Sequence, residues 1–198
     1  MRKILIPVFL TLLQASTIFS QNIEVGGGGV YGTGFNYRTD SFSGSGANSY
    51  ESGNIGFFVK GGYNLSSRAA IGLTCLYTLP KNIEGSVVDV DYRHTVASGM
   101  ANLDLNYSIF GSDFLSLYGI GGFNLHFVGY RYREDYIDKD SGEEVIFKTR
   151  QSDNTIGLNI GAGAVKTIGE NVSIFAETKY IISNYGQLVI SVGLMFGI

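Results

Sequence analysis

The residue types that could carry out chemistry are few and widely spaced in this sequence. His94 and His126 are its two imidazoles, and Ser98 follows His94 by four residues. A histidine beside a serine hydroxyl can act as the base for acyl transfer or hydrolysis, but only where the substrate reaches both groups. The pattern places neither histidine in such a pair, and His126 is expected to hydrogen-bond among polar neighbours. We therefore predict no catalytic residue.

Two short motifs are similar to ligand-binding loops but lack essential positions. The stretch "DKDSGEE" at 138–144 has no ligand at the fifth position of a calcium loop, and its glycine comes one place early. The run Gly26–Gly29 is followed by no helix start, Lys or Ser/Thr at P-loop spacing. We predict neither a metal site nor a cofactor. The single cysteine, Cys75, is interpreted as a small apolar packing residue.

Composition indicates one domain built from strands. The 198 residues include 28 Gly, 13 Tyr and 13 Phe, with only 2 Pro and no Trp. Glycine mixed with aromatic residues suits strands that pack closely and bend. The formal charge of −3 gives no reason to expect a nucleic-acid partner.

Residues 1–20 have the pattern of a secretory signal peptide. Arg2 and Lys3 precede an apolar run from Ile4 to Leu13, and Ser20 is a small residue at the expected cleavage point. The alternative, a membrane-anchoring helix, needs about 20 apolar residues, and polar residues interrupt this run earlier. The mature domain is therefore predicted over residues 21–198.

Eight segments of that domain alternate between apolar and polar or small residues. In "SGMANLDLNYSIF", Leu103 and Leu105 oppose Asn102 and Asp104, because successive side chains of a strand point to opposite faces. Short connections at 65–68, 111–113 and 169–171 alternate with longer polar ones at 38–53, 81–93 and 130–154, before a brief turn near 184–186. This layout predicts an all-β, eight-stranded, antiparallel up-and-down barrel with both termini at the short-turn end.

The difference in polarity between the two faces of each strand indicates which face points toward an apolar medium. The interior of an eight-stranded barrel holds only a limited number of side chains, and six large ones per strand would overfill it. The large apolar faces are therefore predicted to point outward into lipid, which makes this a transmembrane barrel. Charges of both signs then share the lumen in a predicted polar network of Glu24, Lys60, Asn102, Asp104, His126, Glu177 and Lys179.

Aromatic residues near the strand ends predict two interfacial belts. The long-loop belt is expected to contain Tyr31, Phe35, Tyr37, Phe57, Tyr77, Phe127 and Tyr130, and the short-turn belt Tyr63, Tyr107, Phe110, Phe114 and Phe196.

The stretches "FLSLYGIGGFNLHF", "NVSIFAETKY" and "LVISVGLMFGI" resemble the OmpA/OmpX-like outer-membrane β-barrel superfamily, and the likeness extends over residues 22–198. The resemblance implies the cell outer membrane, contact with its lipid, and insertion by the barrel-assembly machinery. That machinery commonly reads a final strand ending in an aromatic residue, whereas here Phe196 precedes Ile198 by two positions. The resemblance also leaves open the alternative that the chain is a lipid A-modifying barrel enzyme. Two further alternatives are a narrow pore, if the lumen network rearranges, and a soluble lipocalin-like carrier.

The segment 130–154 carries 12 Lys, Arg, Asp and Glu residues around a predicted turn at Asp140–Gly142. Its apolar residues suggest strands that continue above the membrane as a hairpin. Together with 38–53 it is a candidate surface for an extracellular partner, but the simpler interpretation, a solvated loop whose charges keep it out of lipid, is favoured. The sequence as a whole predicts a non-enzymatic outer-membrane barrel with a structural or surface-interaction role.

Overall fold

The computed structural model describes residues 23–34, 53–87, 90–112, 115–137 and 144–198. The predicted signal peptide, nearly all of the 38–53 loop and the turn at Asp140–Gly142 lie outside these residues. Within them, no helix is long and apolar enough to cross a membrane.

Eight antiparallel strands close into one barrel in chain order, which confirms the predicted fold class. The strands are β1 (Ile23–Gly32), β2 (Asn54–Asn64), β3 (Ala69–Val87), β4 (Val90–Gly111), β5 (Ser116–Ile137), β6 (Glu144–Thr167), β7 (Val172–Ile182) and β8 (Gln187–Gly197). The ring closes where β1 pairs with β8, for example Gly28 opposite Gly193. No strand edge remains within the ring, and every barrel strand has two neighbours.

Outward-pointing side chains form a continuous apolar surface. On β4, Leu103 and Leu105 are half exposed while Asn102 and Asp104 are 1% exposed. On β8, Leu188, Ile190, Val192 and Leu194 are exposed while Gln187, Val189 and Ser191 are buried. The predicted orientation of the two faces is therefore observed, and Cys75 points outward within the same surface.

The lumen contains more large apolar side chains than the sequence suggested. Phe58, Leu76, Met100, Phe175 and Met195 belong to a buried cluster inside the ring. Glycines on neighbouring strands make room for them, since a Cβ atom at Gly193 would lie 2.9 Å from Cζ of Phe58. The lumen is thus filled by apolar and polar layers together.

The segment 81–93, expected to be a connection, is mostly strand. From Lys81 opposite Val96 to Val87 opposite Val90, β3 and β4 continue as a paired hairpin. Charged residues on both faces of this segment obscure the alternation of apolar and polar residues. The backbone hydrogen bonds between the strands form regardless of side-chain polarity. Pro80, which cannot donate a backbone hydrogen bond, falls at the register shift between Thr78 and Lys81.

The exposed aromatic residues follow the predicted belts with one exception. Tyr31, Phe57, Tyr77 and Phe127 are exposed toward the long hairpins, and Tyr63, Tyr107, Phe110 and Phe196 toward the short turns. Tyr130 is 6% exposed and points inward, so its assignment to a belt was wrong. It lies an odd number of residues from Phe127, and alternation alone places it on the opposite face. Phe35, Tyr37 and Phe114 lie outside the described residues.

Candidate functional site

Four charged side chains meet in the middle of the lumen. The Lys60 ammonium donates to Oε1 of Glu177, and Nζ of Lys179 lies 2.8 Å from Oδ2 of Asp104 and 3.4 Å from Oε2 of Glu177. All four side chains are at most 6% exposed. Two cations and two anions balance one another, which is how buried charges are tolerated. We call these four residues the ion cluster.

Tyr118 and Asn159 complete the hydrogen bonds of the ion cluster. The Tyr118 hydroxyl donates to Oε1 of Glu177 at 2.8 Å, and Nδ2 of Asn159 donates to Oδ1 of Asp104 at 2.7 Å. Neither residue was part of the predicted lumen network. Both stand at inward positions of their strands, so alternation identified the face, but only the register between strands shows which atoms meet.

A layer of amides lies against the ion cluster. Nδ2 of Asn124 donates to Oδ1 of Asn102 at 2.6 Å, and Asn159 reaches the same oxygen at 3.3 Å. His126, fully buried, packs edge-on against Tyr185 with ring centroids 5.6 Å apart. The structure thus brings Asn102 into contact with Asp104 through Asn159, and places His126 in a separate aromatic contact.

Glu24 lies apart from the other predicted network residues. Its Oε1 accepts a hydrogen bond from Nδ2 of Asn64 at 3.3 Å, near the short-turn end. It lines a cavity of about 230 Å³ that Lys60 and Tyr118 also border. The short-turn half of the lumen is therefore a polar vestibule, and the ion cluster forms its inner limit.

The residues that could perform acyl chemistry do not meet on the lipid-facing surface. The Ser98 hydroxyl is buried in the lumen, 2.9 Å from that of Thr78. His94 bonds through Nδ1 to the Tyr130 hydroxyl and packs against the Tyr132 ring, with centroids 4.7 Å apart. Burial lowers the pKa of His94. Within the described residues, no group of three or more His, Cys, Asp or Glu could hold a metal ion.

Above the ring, β3 to β6 continue as a four-stranded sheet, which we call the protruding sheet. β5 and β6 remain paired from His126 opposite Thr155 up to Ile137 opposite Glu144, so the predicted hairpin is confirmed. β7 pairs with β6 only from Leu158 onward. In the part of the chain that the structure describes, no second strand pairs with β6 between Glu144 and Gly157.

Comparison with known proteins identifies the fold. No protein-family model matches the chain, and no curated protein matches it in sequence. Among solved structures, the attachment invasion locus protein Ail of Yersinia pestis is similar with a TM-score of 0.51 and 17% identity, over 89% of this chain and 98% of that one. The outer membrane protein OprG of Pseudomonas aeruginosa gives a TM-score of 0.58 and 12% identity, over 89% and 95%. Both the ring and its apolar exterior are thus those of an eight-stranded outer-membrane β-barrel, the fold that the sequence resemblance implied.

Proposed function

We propose that this chain is an integral outer-membrane protein that spans the bilayer as a filled, non-conducting barrel and presents the protruding sheet outside the cell. The observation that carries the proposal is the separation of the two faces. Large apolar side chains cover the outside of the ring, and the ion cluster lies inside it at 6% exposure or less.

The exterior favours a bilayer over water as the surrounding medium. Ile156 and Phe123 are 74% and 63% exposed, and their neighbours across the strands are also exposed and apolar. Soluble proteins seldom expose contiguous apolar patches of more than a few hundred Å². A soluble carrier would have to expose this belt to water, whereas in lipid the belt is a stabilising surface.

The filled lumen favours a structural or contact role over transport. Eight strands leave an interior that side chains can fill. Here the ion cluster, the amide layer and the Phe58–Phe175 contact, with ring centroids 5.7 Å apart, occupy successive levels. Conduction would require the ion cluster to separate, which leaves buried charges without partners.

The protruding sheet is the proposed contact surface for an extracellular partner. Within the described residues, no strand pairs with the outer edge of β6 from Glu144 to Gly157, and an extended peptide can add to such an edge as a further strand. The protruding sheet extends the barrel well beyond the long-loop aromatic belt. We infer a binding role for this surface and no chemical step.

The proposal is tested by reconstituting the full mature chain into phosphatidylcholine vesicles. We expect the unboiled protein to migrate differently from the boiled protein on a detergent gel, because a closed barrel resists unfolding in detergent. Vesicles loaded with a small ionic dye should retain it. A monomer that stays soluble in water without detergent, with one gel mobility before and after boiling, would contradict the proposal.

A further inference from the structure

Five cations occupy adjacent outward positions on β4, β5 and β6 just above the apolar belt. Arg93 lies opposite Arg133, which lies opposite Lys148 on its other side, and Arg131 lies opposite Arg150. We call these residues the cationic patch. Side chains directly opposite on antiparallel strands are about 5 Å apart at Cβ, and like charges at that spacing are destabilising. The arrangement therefore needs anions nearby.

Within the described residues, two carboxylates form ion pairs with cations of this patch. Arg93 pairs with Glu84 at 2.7 Å and Arg133 with Asp135 at 2.9 Å. For Arg131, Lys148 and Arg150, the structure shows no ion pair within the described part of the chain. All three are exposed and line a depression of about 300 Å³. Among the described residues, the patch thus presents three positive charges without an ion pair around one concave surface.

A groove lies directly below the cationic patch on the lipid-facing wall. Small residues form its floor, since Ala97, Gly129 and Ser152 lie side by side on the three strands. Tyr77 and Phe127 flank the groove, which has a volume of about 520 Å³. A Cβ atom at Gly129 would meet nothing closer than the carbonyl oxygen of Ala97 at 3.8 Å. The floor is open toward the bilayer.

The patch and the groove are adjacent in the direction of the strands. Arg131 follows Gly129 by two residues, about 7 Å along the strand. Leu125 and Ile156, both exposed, continue the same wall into the apolar belt. From the protruding sheet toward the membrane centre, the wall therefore presents cations, then a groove of small residues, then apolar side chains. A lipid has its parts in the same order, with an anionic headgroup followed by acyl chains.

We propose that this wall binds an outer-leaflet lipid whose headgroup carries more than one phosphate. Its phosphates lie against Arg131, Lys148 and Arg150, and the first part of an acyl chain lies in the groove over Gly129. The headgroup must be anionic because the patch is cationic. A lipid fits better than a dissolved polyanion because the groove below the patch continues into the lipid-facing wall. This inference rests on the proposed membrane-spanning function.

The test measures retention of diphosphoryl lipid A by the detergent-solubilised full chain, using native mass spectrometry. Dephosphorylated lipid A is the matched ligand. The variants are the triple change R131Q/K148Q/R150Q, the groove-filling change G129L, and the control R68Q at the exposed β2–β3 turn. Gel mobility before and after boiling verifies that each variant remains a barrel.

We expect the wild type and R68Q to retain the diphosphorylated lipid. Each cation near a headgroup contributes roughly five-fold in affinity, so the triple variant should lose on the order of 100-fold. G129L should also weaken binding while leaving all charges in place. Equal retention of the dephosphorylated lipid, an equal loss in R68Q, or equally tight binding of a soluble sulfated polysaccharide would overturn the inference. A wild type whose gel mobility does not change on boiling would instead overturn the proposed function.

Discussion

Glu177 holds the ion cluster together, and replacing it with glutamine tests the energetic importance of the cluster. Its carboxylate accepts from Lys60 and from Tyr118 at 2.8 Å, and lies 3.4 Å from Lys179. The variant E177Q leaves two buried ammonium groups with a single carboxylate. Removing one member of a buried ion pair costs about 3–5 kcal/mol, since the remaining charge stays desolvated without its partner.

The matched control is Glu84, whose pair with Arg93 is exposed. Its side chain is 59% exposed, and exposed ion pairs contribute only about 0–1 kcal/mol. We therefore expect E84Q to unfold like the wild type and E177Q to lose several kcal/mol. A second variant, E177Q/K60M, removes the unpaired cation as well as the anion, and should recover part of the loss.

The assay is urea unfolding in phosphatidylcholine vesicles, followed by the fraction of protein that keeps the unboiled gel mobility. The chain has no tryptophan, so indole fluorescence cannot report the transition. If E177Q stayed within about 1 kcal/mol of the wild type, or if E177Q/K60M recovered none of the loss, the ion cluster would not be an element that stabilises the barrel.

Three further predictions concern the exterior, the seam and the protruding sheet. L103R places a charge on the lipid-facing side and should cost about 2–4 kcal/mol in the same urea assay; a stability equal to that of the wild type would show that this face is wet. G28V should prevent closure and abolish the unboiled gel form, because its Cβ atom would overlap the Val192 carbonyl oxygen across the β1–β8 seam, whereas G29A, with nothing within 4 Å, should close normally. Burial lowers the pKa of His94 in the folded sheet, so on acidification the unfolded sheet takes up a proton at a higher pH than the folded sheet does. The protruding sheet should therefore lose protection from hydrogen exchange as the pH falls below about 6.5. H94Q should remove that pH dependence, and an unchanged dependence in H94Q would assign it to another group.

The alternation of side chains made the ring and its orientation predictable. Leu103 and Asn102 differ in polarity, and a strand must send them to opposite sides, so the face exposed to lipid follows from the sequence. The same rule places Asp104, Glu177 and Lys179 together in the lumen. Alternation also places Tyr130 inside the barrel, but the aromatic-belt prediction did not apply this rule to Tyr130.

The contacts within the lumen were not predictable, because they depend on register between distant strands. Lys60 and Glu177 are 117 residues apart, and nothing local indicates that Lys60 pairs with Glu177 while Glu24 bonds to Asn64. The inward position of Phe58 depends on the space left by Gly193 on another strand. The paired segment 81–93 was missed because pairing above the membrane leaves no apolar pattern in the sequence.

The sole cysteine provides a direct test of whether the outside of the barrel faces hydrocarbon. Cys75 is exposed on the lipid-facing wall, so a spin label can be attached to the natural thiol without any substitution. In phosphatidylcholine vesicles, we expect collisions of the label with dissolved oxygen to be frequent and those with a water-soluble nickel complex to be rare. Frequent collisions with the nickel complex and few with oxygen would contradict the account.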